Sequence, residues 1–132
     1  MKFMLMMNTP RGDGGYAIMN WKPEHFQAHI QFMQQLNKDL RAAGELVSCE
    51  GLAPPGQARI VRAGEGDEPE ITDGPFAESE EFLAGYWIVD VESAEQAYAI
   101  AARASKAPGP GGEPMRIVIE VREVMSAPRV DP

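Results

Sequence analysis

The stretch Ala84-Gly85-Tyr86-Trp87-Ile88-Val89-Asp90-Val91-Glu92-Ser93-Ala94-Glu95-Gln96 decides the fold. Its first part, residues 84–91, alternates: Trp87, Val89 and Val91 point one way, and Tyr86, Ile88 and Asp90 the other. A period of two belongs to a β-strand. Its second part, Ser93-Ala94-Glu95-Gln96, has the form of a capping box, with the Ser93 hydroxyl capping and Gln96 reaching back. The helix it opens is rich in alanine to about residue 104. Small side chains let a helix lie close on a sheet, so this strand leads directly into a helix able to cover it.

A strand and a helix also open the chain. Residues 2–7 are a nearly continuous apolar run followed by turn residues, which reads as a strand buried on both faces. Pro23 suits the first turn of a helix. Phe26, Ile30, Met33, Leu36 and Leu40 then make one apolar helical face, and Gly44 ends it. Residues 45–52 resume as a strand that Pro54-Pro55-Gly56 breaks. Residues 58–62 and 69–72 flank Gly64-Glu65-Gly66-Asp67 as a hairpin. Residues 105–114 read as a loop, and residues 115–125 alternate as a last strand. The order is β-α-β-(hairpin)-β-α-β. That is an α+β fold, a ferredoxin-like split βαβ sheet with two helices on one face. The other face also carries apolar residues and needs a partner. Two subunits packed sheet to sheet, as a dimeric α+β barrel, are the expectation. One domain over residues 1–125 and a frayed tail over 126–132 complete the plan.

Composition narrows the function. The chain has 132 residues, with 12 Lys and Arg against 20 Asp and Glu, for a net charge of −8. That balance speaks against a protein that tracks nucleic-acid phosphates or an anionic membrane surface. No apolar run approaches the roughly 18 residues of a membrane-spanning helix. The apolar start breaks at Asn8-Thr9-Pro10-Arg11, short of the roughly 7–15-residue core of a secretory leader. The expectation is a cytoplasmic protein. The single cysteine, Cys49, excludes an internal disulfide and CxxC chemistry, and it reads as a small core residue. Gly12-Asp13-Gly14-Gly15 follows a strand but lacks the spacing of a phosphate-binding loop.

Few residues carry chemistry. His25 and His29 are four apart on the first helix and share a face. Phe26 stands where a zincin would need its glutamate, and nothing secures a third metal ligand, so no metal is expected. The two histidines are read either as lining the apolar stripe or as a general base. Asp73-Gly74-Pro75-Phe76 has two readings. It is a turn opener with an aromatic plug, Phe76, or it sets a carboxylate at a strand end beside a rigid loop. Glu78 or Glu81 could pair with Asp73 and raise its pKa, or the acidic run could be a solvated face. Arg122, near the end of the last strand, is a surface residue, a partner for Asp73 or an anion ligand.

The segment Ile71-Thr72-Asp73-Gly74-Pro75-Phe76-Ala77-Glu78-Ser79-Glu80-Glu81 carries a resemblance. With Gly51-Leu52 upstream, Gly85-Tyr86-Trp87 downstream and Ile119-Glu120-Val121-Arg122 near the end, the chain resembles the YCII-related superfamily, in its DGPF-domain branch, over about residues 1–125. The resemblance implies a ferredoxin-like α+β fold, usually dimeric. Members are mostly uncharacterised. Some relatives are enzymes acting on small lactones, a His–Asp dyad has been proposed for the shorter members, and some DGPF members are associated with extracytoplasmic-function sigma factors. The motif aspartate carries over onto Asp73. The dyad histidine does not, because Met33 stands at its place. Glu80 replaces a usual lysine, and Ala104-Ser105 replaces a common Cys-Pro.

Two functions follow as expectations. One is a cofactor-free enzyme for a small molecule, working by proton transfer, elimination or hydrolysis. Its pocket would lie between the sheet and the first helix, closed by the loop over residues 8–20. There Asp73 would act as general base or acid with His29 or His25, and Phe76, Tyr86 and Trp87 would form the walls, with Arg122 as a further binding residue. The other is a non-catalytic regulatory or binding module whose acidic surface faces a basic partner such as a sigma factor. A homodimer is expected in either case.

Overall fold

The computed structural model describes residues 1–10, 21–77 and 79–125. Residues 11–20 of the loop expected to close the pocket, with its glycine cluster at 12–15, Glu78 and the tail at 126–132 lie outside the described residues. The elements are β1 (Lys2–Pro10), α1 (Pro23–Ala42), β2 (Leu46–Gly51), β3 (Arg59–Ala63), β4 (Pro69–Asp73), β5 (Glu81–Asp90), α2 (Ala94–Ser105) and β6 (Ile119–Glu123). Four strands form one sheet in the order β2-β5-β1-β6, and β3-β4 form a separate two-stranded sheet. Every neighbouring pair is antiparallel. The helix α1 joins β1 to β2 with β5 inserted between them, and α2 joins β5 to β6 with β1 inserted between them. This is a small α+β fold.

Alternation decides which residues the helices cover. Phe3 and Leu5 of β1 and Trp87 and Val89 of β5 join Val91, Leu36 and Leu40 of α1, and Ala97, Ala101 and Ala104 of α2 in one buried cluster. Each fully buried Leu or Val side chain contributes about 1.5–3 kcal/mol of transfer free energy. The opposite set, Met4, Met6, Tyr86 and Ile88, is only half-buried. The first strand is therefore not buried on both faces, as its unbroken apolar run predicts.

The helix ends follow the sequence closely. Pro23 opens α1, and Gly44 closes it with φ +73°. Ser93 Oγ accepts from Gln96 N at 3.3 Å, while Gln96 Oε1 accepts from Glu92 N at 2.7 Å. The return bond thus reaches one residue earlier than the ideal box. Asp39 of α1 accepts hydrogen bonds from Arg103 of α2 and from Gln35, and these hold its carboxyl below the ordinary value of 3.8.

Two features differ from the sequence pattern. The last strand covers Ile119–Glu123 and not residues 115–125. Its ladder to β1 ends at Met7↔Ile119, where β1 shifts register after Met7. Before that point the chain is held elsewhere: Ile117 N donates to Ser105 O at 3.2 Å, and Ser105 Oγ donates to Ile117 O at 2.6 Å. The buried stripe of α1 is also rotated at its start. His29, Leu36 and Leu40 are buried, whereas Phe26 is exposed. The Pro/Gly-rich loop after α2 packs there and supplies backbone groups that imidazoles can bond and a phenyl ring cannot.

Candidate functional site

A cavity of about 370 Å³ opens between α1 and the sheet. Known small-molecule sites begin near 300 Å³, so the volume suits a small ligand. Its floor consists of the register pairs Cys49↔Trp87, Glu50↔Tyr86 and Gly51↔Gly85 of β2 and β5, with Met7 of β1 beside them. Its roof is His29, Ile30, Met33 and Asn37 of α1. The local cause of the hollow is Gly51 opposite Gly85, where the floor has no side chains. A Cβ on Gly51 would meet nothing within 4 Å, whereas one on Gly85 would approach the Glu50 carbonyl to 3.0 Å.

Two polar side chains of α1 are fixed in this roof. His29 is 7% exposed, and its Nδ1 lies 3.0 Å from the Pro108 carbonyl. A carbonyl only accepts, so Nδ1 carries the proton in that bond. No described residue hydrogen-bonds Nε2, which in the neutral ring holds a free lone pair. Trp21 packs edge-on against the same ring, with centroids 5.6 Å apart. Asn37 Oδ1 accepts the indole N–H of Trp87 at 2.7 Å. Trp87 is therefore covered by α1 and belongs to the helix-bearing face.

The remaining sequence candidates lie elsewhere. His25 Nε2 faces the loop after α2, where Gly111 N donates to it at 3.4 Å. The two histidines thus bind one loop from successive turns, and only His29 lines the cavity. Asp73 ends β4 with its side chain 94% exposed, 3.6 Å from Arg59 Nε. Gly74 N donates to Ala58 O at 2.9 Å, which closes the β3-β4 hairpin. Phe76 is 66% exposed, as a surface residue and not a plug. Arg122 is exposed on β6 opposite Met4. Glu81 borders a separate hollow with Asn8, Val118 and Glu120. Of the candidates, the cavity brings together His29, Tyr86 and Trp87. Asn37, Cys49, Met7 and Met33 are its members that sequence reasoning missed. The available signal was Asn37, a polar residue one turn beyond Met33 on the inward stripe.

Among the described residues, no three or more His, Cys, Asp or Glu side chains converge as a metal site. None of the described helices is long and apolar enough to cross a membrane.

A curated protein of Rhizobium meliloti (strain 1021), described as uncharacterized, is 30% identical to this chain over 77 residues. The match covers 58% of the chain and 61% of the relative, less than two thirds of that protein's length. The YCII-related domain matches residues 1–122. That span takes in the whole four-stranded sheet and both helices except the last residue of β6, and the chain belongs to the YCII-related domain family.

Proposed function

We propose that the cavity under α1 binds a small molecule and that His29 is its general base. The observation that carries this reading is a buried imidazole that lines a cavity of about 370 Å³, whose Nδ1 is committed to Pro108 and whose Nε2 hydrogen-bonds no described residue. Nε2 would take a proton from the bound molecule. The Pro108 carbonyl would stabilise the imidazolium, and the same nitrogen would return the proton at another atom. Proton transfer of this kind needs no cofactor. Asp73 lies at the surface beside Arg59 in the single chain, so the reading assigns the base to His29 alone.

The strand order β2-β5-β1-β6 with interleaved helix crossovers supports a ferredoxin-like split βαβ sheet. The half-buried apolar set Met4, Met6 and Ile88 supports a sheet-to-sheet homodimer. The D-G-P-F-A-E segment supports the DGPF branch.

The test is a fragment screen by saturation-transfer NMR, with hits mapped on the methyls of Met7 and Met33. Gly51→Leu should keep the fold, because no backbone crowds the site of its Cβ, and should abolish those hits. Hits that survive Gly51→Leu would move the binding site away from this cavity. A second reading, a non-catalytic module for a basic partner such as a sigma factor, draws on the net charge of −8 and the exposed hairpin pair Val61 and Ile71. Salt-sensitive co-purification with a sigma factor from the native cell, lost in Val61→Lys, would favour it.

A further inference from the structure

The polar groups of the cavity have fixed and complementary roles. His29 offers an acceptor, because Pro108 commits its proton to Nδ1. Asn37 offers donors, because Trp87 occupies its carbonyl oxygen and leaves the NH₂. The two residues stand eight positions apart on α1, about 12 Å along the axis at roughly 1.5 Å per residue. Met33 lies half-way between them, and Met7 lines the floor. Both are flexible, polarizable side chains that adapt to the shape of an apolar body. Among the described lining residues there is no lysine or arginine, and the one acidic residue, Glu50, pairs with Tyr86 of the opposite sheet face. An anionic ligand would find no counter-charge there.

Resting on the small-molecule reading above, we infer that the ligand is an elongated, uncharged molecule. It presents one O–H or N–H donor to His29 Nε2, an apolar middle to Met33 and Met7, and a carbonyl-type acceptor to the Asn37 amide. The orientation follows from the two fixed roles, since the reversed molecule would set acceptor against acceptor at His29. His29 is therefore both the base of the proposed reaction and the group that selects for a donor.

The test uses three probes of similar length: 4-(4-hydroxyphenyl)butan-2-one, its methyl ether, and 3-(4-hydroxyphenyl)propanoate. Binding is followed on the methionine methyls and on the imidazole nitrogens of His29. The hydroxy-ketone should shift the Met7 and Met33 methyls and the Nε2 resonance, and should bind about tenfold more tightly than the ether, which has no donor. The carboxylate should bind more weakly than the ketone. His29→Phe should make the hydroxy-ketone and the ether equal. Asn37→Asp, which keeps an acceptor for Trp87 and removes the amide donors, should weaken the ketone. Equal binding of hydroxy-ketone and ether to wild type, with both shifting the methyls, would overturn the inference and leave the small-molecule site standing. Tightest binding by the carboxylate would do the same. If no probe shifts the methyls, the inference is overturned, and the Gly51→Leu fragment screen decides the site on its own.

Discussion

The indole N–H of Trp87 and the side-chain oxygen of Asn37 lie 2.7 Å apart, joining residues separated by 50 positions. The bond ties the middle of β5 to the middle of α1 beside the cavity. It also explains how a tryptophan that is 4% exposed keeps its polar atom satisfied. Asn37→Leu removes the acceptor and leaves a buried N–H unpaired, which costs about 1–3 kcal/mol. Asn37→Asp should cost less, because an oxygen remains. Trp87→Phe combined with Asn37→Leu should cost less than the sum of the two single changes, since the second substitution then strands nothing. Urea denaturation of wild type and these four variants measures this.

Asp73 supports a different expectation. Its carboxylate is 94% exposed and stands 3.6 Å from an exposed Arg59. Exposed ion pairs contribute roughly 0–1 kcal/mol. Asp73→Asn should therefore shift stability by less than about 1 kcal/mol and leave ligand binding in the α1 cavity unchanged. A loss of binding would return Asp73 to the site.

How much of this was legible in the sequence depends on the kind of signal. The strand through Trp87 and Val89, the Ser93 cap, the Pro23 start and the hairpin about Gly64–Asp67 all rest on local chemistry that residues declare by themselves. The place of a pocket between the sheet and the first helix follows from the same reading, but its shape does not. It arises where Gly51 meets Gly85 across two strands, a juxtaposition set by register and not by either glycine. The burial of His29 was hidden for a related reason. Phe26 fits an apolar stripe better, and only the Pro108 carbonyl, distant in sequence, makes an imidazole the better occupant. The D-G-P-F motif marked the family, but its local geometry closes a hairpin away from the cavity.

Gly85 should tolerate a side chain poorly. A Cβ there would sit 3.0 Å from the Glu50 carbonyl oxygen, and backbone in a sheet cannot yield as a side chain would. Gly85→Ala should destabilise by about 1–3 kcal/mol, the range for overpacking. Gly51→Ala, where a Cβ meets nothing within 4 Å, should be near neutral. A thermal-melt comparison of the two variants separates crowding from the general effect of replacing glycine.

The Asp39–Arg103 contact sets an acid limit. The hydrogen bond from Arg103, and then that from Gln35, lower the carboxyl below 3.8. A lowered folded-state pKa stabilises the protein above the unfolded value, and that contribution is lost as pH falls through the folded one. The helix–helix tie should therefore be intact near neutral pH and should weaken as pH drops below about 3.8. Asp39→Asn should flatten the acid limb of a plot of melting temperature against pH and leave its neutral limb parallel to wild type. An unchanged acid limb would assign the acid sensitivity to other carboxylates.

The outer sheet face provides the test of the dimer. Across the strands it carries Ser48, Ile88, Met4 and Arg122 in one row, through the pairs Ser48↔Ile88, Met4↔Ile88 and Met4↔Arg122. The apolar centre of that row is half-buried in the single chain and belongs to the side opposite Trp87 and the helices. Ile88→Glu should cost the isolated subunit little, because a glutamate there can still reach water. In a sheet-to-sheet dimer the same carboxylate would be desolvated against its symmetry mate, which is strongly unfavourable without a counter-charge. Wild type should therefore sediment as a dimer at micromolar concentration, and Ile88→Glu as a folded monomer with an unchanged far-ultraviolet circular dichroism spectrum. Trp87→Asp should instead unfold the subunit, because it puts a charge beneath α1 and strands Asn37. A wild type that sediments as a monomer would remove the dimeric barrel and leave the cavity as a site complete within one chain.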